Sequence, residues 1–391
     1  MSARLRMGMI GGGSGAFIGA VHRMAAALDG RIDLVAGAFS RNPDNCRATG
    51  AELGLDSARC YSNFETMLAD ERARFDAIDC VSIVTPNHTH VPMALASAKA
   101  GFHVMSDKPA GISLAEVEGL AESLAETNTQ YGLTHTYLGY PRVWQARHLA
   151  SQAEFGAIRK VLVNYTQGWL SSPAETEGSK QAAWRVDPVL AGPAGALGDI
   201  GSHAHSLAEF VAHSRMDTVS ARLRSHFPDR TLDDDGDIAF TLENGATGTL
   251  ISSQVCAGEE NDLSIRIHGE NAGLEWRQME PNSLVERRAS GEVIVHRAGI
   301  DKPLCDAALT RCRLPAGHPE GYLEAFANLY RNFACAIRDG VAPINYGVPG
   351  IAEALRGMAF LEAAVASSAN EGAWTDITAP SVGPDRKGLL A

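Results

Sequence analysis

Hydrophobic residues along the first third of the chain fall into short continuous runs separated by longer stretches of helical period. Residues 5–10 form an apolar run too short for a helix and suited to a buried parallel strand. After Gly19 the apolar positions Val21, Met24, Ala25 and Leu28 recur at helical spacing. The same grammar repeats. Residues 32–39 read as a second strand, and Asn42-Pro43 as an N-cap with proline at the first helical position. Ser62-x-x-Glu65 reads as a capping box, and 78–84 as a buried strand that stops at Thr85-Pro86-Asn87. A helix ending at Gly101, a strand at 103–106 closing with Asp107-Lys108-Pro109, a helix capped by Ser113-x-x-Glu116 and a strand at 131–134 follow. Strands alternating with helices at this spacing predict a doubly wound parallel α/β sheet with right-handed crossovers.

Near residue 138 the pattern changes. Pro141 opens a helix, 158–166 reads as a strand, 170–182 as a polar loop, and a glycine-spaced segment, 192–201, leads into a helix carrying His203, Leu207, Phe210 and Val211. Strands then follow one another. Residues 238–242 and 246–251 around Asn244-Gly245 predict a hairpin with a type I′ turn, and 265–268 and 274–276 continue the sheet. Residues 319–338 and 349–367 are helical in period. The expected organisation is a dinucleotide-binding α/β domain over 1–138 and an α+β domain with an open, mostly antiparallel sheet over 139–391.

Strand, glycine turn, helix is the context a dinucleotide fingerprint needs. Glycines let backbone N–H groups approach a ligand, and the helix N-terminus favours the pyrophosphate. The G-x-G-x-x-G spacing is not kept: Gly11 and Gly13 are followed by Ala16, and Gly19 reads as the third glycine with three extra residues in the turn. A glycine turn that binds nothing is the competing account. Cofactor contacts are expected from Gly11, Gly13, Ser14, Gly15, Ala16, Phe17 and Ile18, and from strand ends bearing Ser40, Arg41, Thr85, Pro86, Asn87, His90, Asp107 and Lys108. Residue 40 is serine where NAD enzymes carry an acidic residue, and Arg41 can pair with a 2′-phosphate, so NADP is weakly favoured over NAD.

Composition narrows the class. The chain has 391 residues, 45% of them hydrophobic and 20% charged, which is globular and enough for two domains. A net charge of −12 argues against nucleic acid as a partner. No window reaches the apolar length of a membrane span, and a first strand so near Met1 leaves no room for a signal peptide. Seven scattered cysteines without a C-x-x-C suggest free thiols in a reducing cytoplasm.

Lys108 sits past a buried strand and can stabilise oxygen charge; a solvated loop lysine is the alternative. Asp199 and His203 are four apart, so a helix puts them on one face, where the carboxylate can support an imidazole suited to proton transfer. His203 can equally be a core histidine. His88-x-His90 and His203-x-His205 with Asp199 invite a metal, but alternate helix positions point apart, so no metal is expected. Asp233-Asp234-Asp235-Gly236-Asp237 lacks the glutamate of a calcium loop and reads as a solvated turn. His135, Tyr137, Trp184, Arg185 and His318 are further candidates for substrate contact, with helix capping or core packing as the alternative.

Taken together these motifs resemble the Gfo/Idh/MocA family of oxidoreductases. Gly19-x-x-His22 is similar to the end of its glycine turn, Thr85-Pro86-Asn87-His88-x-His90 to its T-P-N-x-x-H segment, and Asp107-Lys108-Pro109 to its E-K-P motif with Asp for Glu. Asp199-x-Gly201-x-His203 resembles its D-x-G-x-H motif, with Ser206 where a second Asp is common. The resemblance implies a Rossmann domain binding NAD or NADP, a C-terminal sheet that often mediates homo-oligomerisation, and catalytic roles for Lys108, Asp199 and His203. It implies oxidation of a secondary alcohol on a sugar, sugar derivative or inositol, with His203 as proton acceptor. Cleavage of a glycoside by transient redox, or nicotinamide sensing without turnover, are the other readings.

Overall fold

The computed structural model describes residues 4–380 and residue 389. Among the described residues, β1 (Leu5–Gly11), β2 (Ile32–Ala38), β3 (Cys80–Val84), β4 (His103–Ser106) and β5 (Tyr131–Leu133) form a parallel sheet in the order β2-β1-β3-β4-β5. Met7, Met9, Val81, Ile83 and Val104 are buried, as continuous apolar strands covered on both faces require. The crossovers carry α1 (Phe17–Leu28), α2 (Pro43–Glu52), α3 (Phe64–Ala73), α4 (His90–Lys99) and α5 (Leu114–Ala125). Strand order reverses at β1/β3, which sets a ligand crevice at their carboxyl ends.

Capping follows the sequence closely. Asn42 accepts from the amides of Asp44 and Asn45, and Ser113 from Glu116. At α3 the cap is Asn63, which accepts from Thr66, not Ser62. Asparagine competes as well as serine at this position, and the frame moves by one. Met24 and Leu28 keep helical period but stay half exposed; the inner face of α1 is Gly19, Val21, His22, Ala25 and Ala26.

The second sheet, in the order β13-β12-β11-β10-β6-β9-β8-β7-β14, is antiparallel apart from the β6/β9 pair. Its strands are β6 (Lys160–Thr166), β7 (Met216–Arg224), β8 (Asp235–Leu242), β9 (Thr247–Ser253), β10 (Asp262–His268), β11 (Ala272–Arg277), β12 (Ser283–Arg288), β13 (Val293–Arg297) and β14 (Thr375–Asp376). In β6, β8 and β10, buried residues alternate with more exposed ones, so one face meets the core. The helices of this part are α6 (Pro141–Ala150), α7 (Lys180–Arg185), α8 (Pro188–Ala191), α9 (Ser202–Ala212), α10 (Asp306–Leu309), α11 (Tyr322–Asp339) and α12 (Ile351–Ala369). Helix α11 reaches back to pack on α1.

Two expectations about turns fail. The β8/β9 hairpin is not type I′: Gly245 has φ +84°, but Asn244 has no positive φ, and the Gly245 amide donates to the Leu242 carbonyl. That is a type I turn over Glu243-Asn244 followed by a glycine bulge. The aspartate run is not solvated either. Asp234 is fully buried between Arg230 and His226, each 2.8 Å away. Asp233 accepts from the amides of Gly195 (2.6 Å) and Leu197 (2.7 Å). Asp234 is turned inward by partners four and eight residues upstream, and Asp233 by amides 38 and 36 residues away. Among the described residues, no helix is long and apolar enough to cross a membrane.

Candidate active site

A cleft of about 1510 Å³ runs from the glycine turn, past the carboxyl ends of the parallel strands, to the ends of β6 and β10 in the second sheet. The turn is built by close approach. A Cβ on Gly19 would lie 2.3 Å from the Gly12 Cα, so the first turn of α1 rests directly on the loop. Gly19 thus performs the packing expected of a third glycine. Ala16 caps α1 without a side-chain hydrogen bond, and the first turn holds no acidic residue. Its N–H groups are left for an anion, and the residues present fit a dinucleotide pyrophosphate. Ser40, Arg41 and Asn45 line the cleft beside this turn, with no carboxylate at the end of β2.

The loop after β4 is held from below. Asp107 takes the Lys108 amide (2.9 Å) and the Thr134 hydroxyl (2.7 Å), and its Oδ2 lies 3.7 Å from His22 Nε2. Burial opposes its charge, but His22, Lys108 and Thr134 outweigh that and hold its pKa well below the usual carboxylate range. His22 in turn lies 2.6 Å from the Tyr330 hydroxyl on α11, which meets Ser82 at 2.8 Å. The Lys108–Pro109 peptide is cis.

Lys108 Nζ lies 2.9 Å from Asp199 Oδ1 and also donates to the Asp199 carbonyl. Asp199 Oδ2 accepts from Arg185 Nε (3.2 Å) and Gln254 Nε2 (2.9 Å). Burial again opposes the charge, and the two cations with Gln254 overcome it, so Asp199 stays ionised. Residues 197–201 wind as a wide helical turn into α9, and Asp233 pins its start. His203 follows, 8% exposed, and its Nδ1 has no hydrogen-bond partner among the described residues. Burial, then Lys108 and His135, push its pKa well below that of a free imidazole. The ring is therefore neutral at neutral pH, the form that can accept a proton.

Of the expected site residues, Gly11, Gly13, Ser14, Gly15, Ala16, Phe17, Ile18, Ser40, Arg41, Thr85, Pro86, Asn87, Asp107, Lys108, Tyr137, Trp184, Arg185, Asp199 and His203 all line this one cleft. Three do not. His90 is fully buried behind it, its ring nitrogens each 2.7 Å from the carbonyls of Pro109 and Thr85, so it ties two cleft loops together. His135 is 4% exposed and edge-on to His203, and burial pushes its pKa down to about 3. His318 is exposed outside the cleft, 3.2 Å from the Pro315 carbonyl; Tyr322 of the same stretch does line it. Sequence reasoning missed Tyr165, Gln167, Trp169, Asn261 and Gln254. Among the described residues, no three His, Cys, Asp or Glu are grouped to hold a metal.

Two family descriptions match the sequence: an oxidoreductase family with an NAD-binding Rossmann fold over residues 5–135, and the GFO/IDH/MocA C-terminal domain over 143–275. The chain belongs to the Gfo/Idh/MocA oxidoreductases. It is 33% identical to the uncharacterized oxidoreductase YfiI of Bacillus subtilis, over 96% of this chain and 98% of that one. It is 27% identical to a levoglucosan dehydrogenase of Pseudarthrobacter phenanthrenivorans, over 69% and 73% of the two chains. Among solved structures, an inositol dehydrogenase homolog from Azotobacter vinelandii, complexed with NAD+, superposes with a TM-score of 0.92 at 37% identity, covering 96% of this chain and 98% of that one. A Gfo/Idh/MocA protein with this turn has an NAD-binding Rossmann half, and the second sheet closes the crevice from the other side.

Proposed function

We propose that this oxidoreductase oxidises a ring secondary alcohol of a sugar, sugar derivative or inositol. The observation that carries the reading is that Lys108, Asp199 and His203 face the same cleft that begins at the glycine turn. A bound nicotinamide supplies the hydride acceptor. His203, held neutral, takes the hydroxyl proton. Lys108 donates a hydrogen bond to the reacting oxygen and offsets its charge. Asp199 holds the Lys108 ammonium in place and is no proton acceptor, because its two oxygens serve Lys108, Arg185 and Gln254. Trp169 and Trp184, stacked about Arg185 at 5.8 and 4.2 Å, give the substrate end apolar surface suited to the C–H face of a ring.

Mixing the protein with NAD or NADP and a panel of inositols, aldoses and anhydrosugars tests this by reduced-nicotinamide absorbance. One responding polyol supports the reading, and Lys108→Ala then lowers turnover more than a hundredfold while the NADH Kd moves less than threefold. Cleavage of a glycoside with no accumulation of reduced cofactor replaces the dehydrogenase with a transient-redox lyase or hydrolase. Binding of cofactor without any turnover leaves a sensor. For the cofactor, Ser40 and Arg41 without a neighbouring carboxylate favour acceptance of a 2′-phosphate. Arg41→Ala should then weaken NADP at least tenfold more than NAD; a wild-type Kd clearly lower for NAD overturns that preference.

A further inference from the structure

The strands β10, β6 and β9 lie side by side, and each bears an amide side chain at its cleft end. Asn261 stands just before β10, Gln167 just after β6 and Gln254 just after β9. Gln254 Nε2 lies 2.9 Å from Asp199 Oδ2 and 3.0 Å from Gln167 Oε1. Gln167 Nε2 lies 2.7 Å from Asn261 Oδ1, and Asn261 Nδ2 lies 3.2 Å from the Tyr137 hydroxyl. Tyr165 donates to Asn261 Oδ1 at 2.7 Å, and the Tyr137 and Tyr165 hydroxyls touch.

An ionised carboxylate only accepts, so one end of this ladder fixes the direction of the rest. Gln254 must present N–H to Asp199, which leaves its second N–H for Gln167, whose N–H then meets Asn261. Tyr165 donates to Asn261, so the bond between the tyrosines runs from Tyr137 to Tyr165. The ladder ends at Tyr137, whose ring meets His203 edge-on at 4.8 Å. It therefore joins the carboxylate that holds Lys108 to the wall that holds His203. Gln254 is 1% exposed and does not line the cleft, so it reaches no substrate. It acts through Asp199.

We propose that Gln254 is a positioning residue, whose buried amide fixes the Asp199 carboxylate and thereby aims the Lys108 ammonium at the reacting oxygen. The role in turnover rests on the dehydrogenase reading; the fixing of Asp199 does not. The charged and titratable groups around this amide are Lys108 from the loop after β4, Arg185 from α7, Asp199 from the turn into α9 and His203 from α9 itself. Asp233 and Asp234 lie before β8; the Gln254 backbone N–H donates to the Asp234 carbonyl at 2.8 Å, and the Asp234 carboxylate is taken by Arg230 and His226. Cys256 and Glu259 follow β9 on its own loop.

Two variants test it. Gln254→Met keeps the volume and removes both donors; kcat should fall about tenfold to a hundredfold, the loss of one charge-assisted hydrogen bond, with KM and the NADH Kd within threefold. Gln254→Glu puts a second carboxylate against Asp199. Ionised, it has nothing to donate; protonated, its O–H restores the bond. Its folded-state pKa is then raised above the unfolded value, so stability is present at low pH and lost as pH rises through that pKa. From pH 8 to pH 5 the Tm gap to the unsubstituted protein should close, and the ratio of its kcat to that of the unsubstituted protein should rise at least tenfold.

A Tm gap independent of pH overturns the proposal, whatever happens to turnover. A closing gap with a flat kcat ratio makes Gln254 a structural residue only and overturns the positioning role. A closing gap when the unsubstituted protein oxidises no polyol supports the fixing of Asp199 and sinks the dehydrogenase reading instead. Should the Met variant fail to fold, the Glu variant at pH 5 carries the test alone.

Discussion

Gly19→Ala is the sharpest probe of the nucleotide end, because the structure sets its size. The added Cβ would sit 2.3 Å from the Gly12 Cα and 2.8 Å from the Gly12 oxygen. Ordinary contact begins near 3.4 Å, so helix α1 and the glycine loop must separate by about 1 Å. The atoms in the way are backbone, which has no rotamer to change. Overpacking of this kind costs about 1–3 kcal/mol. The displaced part is the loop whose N–H groups face the cleft, so cofactor affinity should fall at least tenfold while the urea midpoint drops. Gly54→Ala is the control. Gly54 lies outside the cleft, has φ +68° and nothing within 4 Å of a new Cβ, so it bears only backbone strain of about 1–2 kcal/mol. Urea denaturation with and without NADH, and NADH titration by fluorescence, separate the two. If Gly19→Ala binds NADH within twofold of the unsubstituted protein, the assignment of Gly19 as the packing glycine is wrong.

Three further outcomes are expected. Because the His203 pKa is depressed, its neutral form persists as pH falls from 8 to 6, and kcat/KM for polyol oxidation should stay flat over that window; a limb near pH 6.5 would show an ordinary imidazole in control. Glu209, 5% exposed, pairs with Arg356 and His205 and accepts from the Met216 amide, and although burial opposes its charge, those partners pull its pKa down to about 2. Glu209→Gln should cost about 3 kcal/mol at pH 7 in urea denaturation. A depressed pKa gives stability that is present above the unfolded value and lost as pH falls through about 2, so the gap should narrow below about pH 4.5, and a constant gap would contradict the pairing. Asp233→Asn replaces an acceptor oxygen by a donor against the amide of Gly195 or Leu197, and should cost about 1–3 kcal/mol and lower kcat by shifting the turn that carries Asp199; unchanged kcat would detach Asp233 from the site.

The parallel half was legible because its determinants are local. A strand buried on both faces writes itself as a nearly continuous apolar run, as 80–84 does with only Ser82 interrupting it, and helix starts are marked by side chains two or three residues from the amides they cap. Errors of boundary there amounted to one or two residues, as with Asn63 for Ser62 and a strand that begins at Cys80 and not at 78. In the second half β6 and β8 to β11 were legible, β12 to β14 were not marked out, and the surroundings of the strands were not legible. Four aspartates within five positions look solvated until Arg230 and His226 from the loop just before them and the 195–197 amides from elsewhere in the fold enclose two of them.

The site divides along the same line. Lys108, Asp199 and His203 each lie in a short motif with a glycine or proline beside it; taken singly each had a structural alternative, and it was the resemblance of the motifs together that marked them as candidates. Gln167, Gln254 and Asn261 lie 87 to 94 residues apart in hydrogen-bonded pairs and meet only because β10, β6 and β9 are neighbours in the sheet. Nothing within a window of the chain distinguishes those amides from solvated loop residues. Their one shared mark is position, next to the end of a strand, and it becomes informative only when strand order is known. His90 and His135 erred in the opposite sense: their motifs and strand ends pointed to the cleft, and the structure uses both rings behind it, against carbonyls and against His203. The proposed cofactor contacts are thus written locally in this chain, in one turn and the strand ends around it. On the proposed reading, substrate recognition is written in the alignment of strands, so substitutions that shift the register of β6 against β10 should change polyol preference before they change nicotinamide affinity.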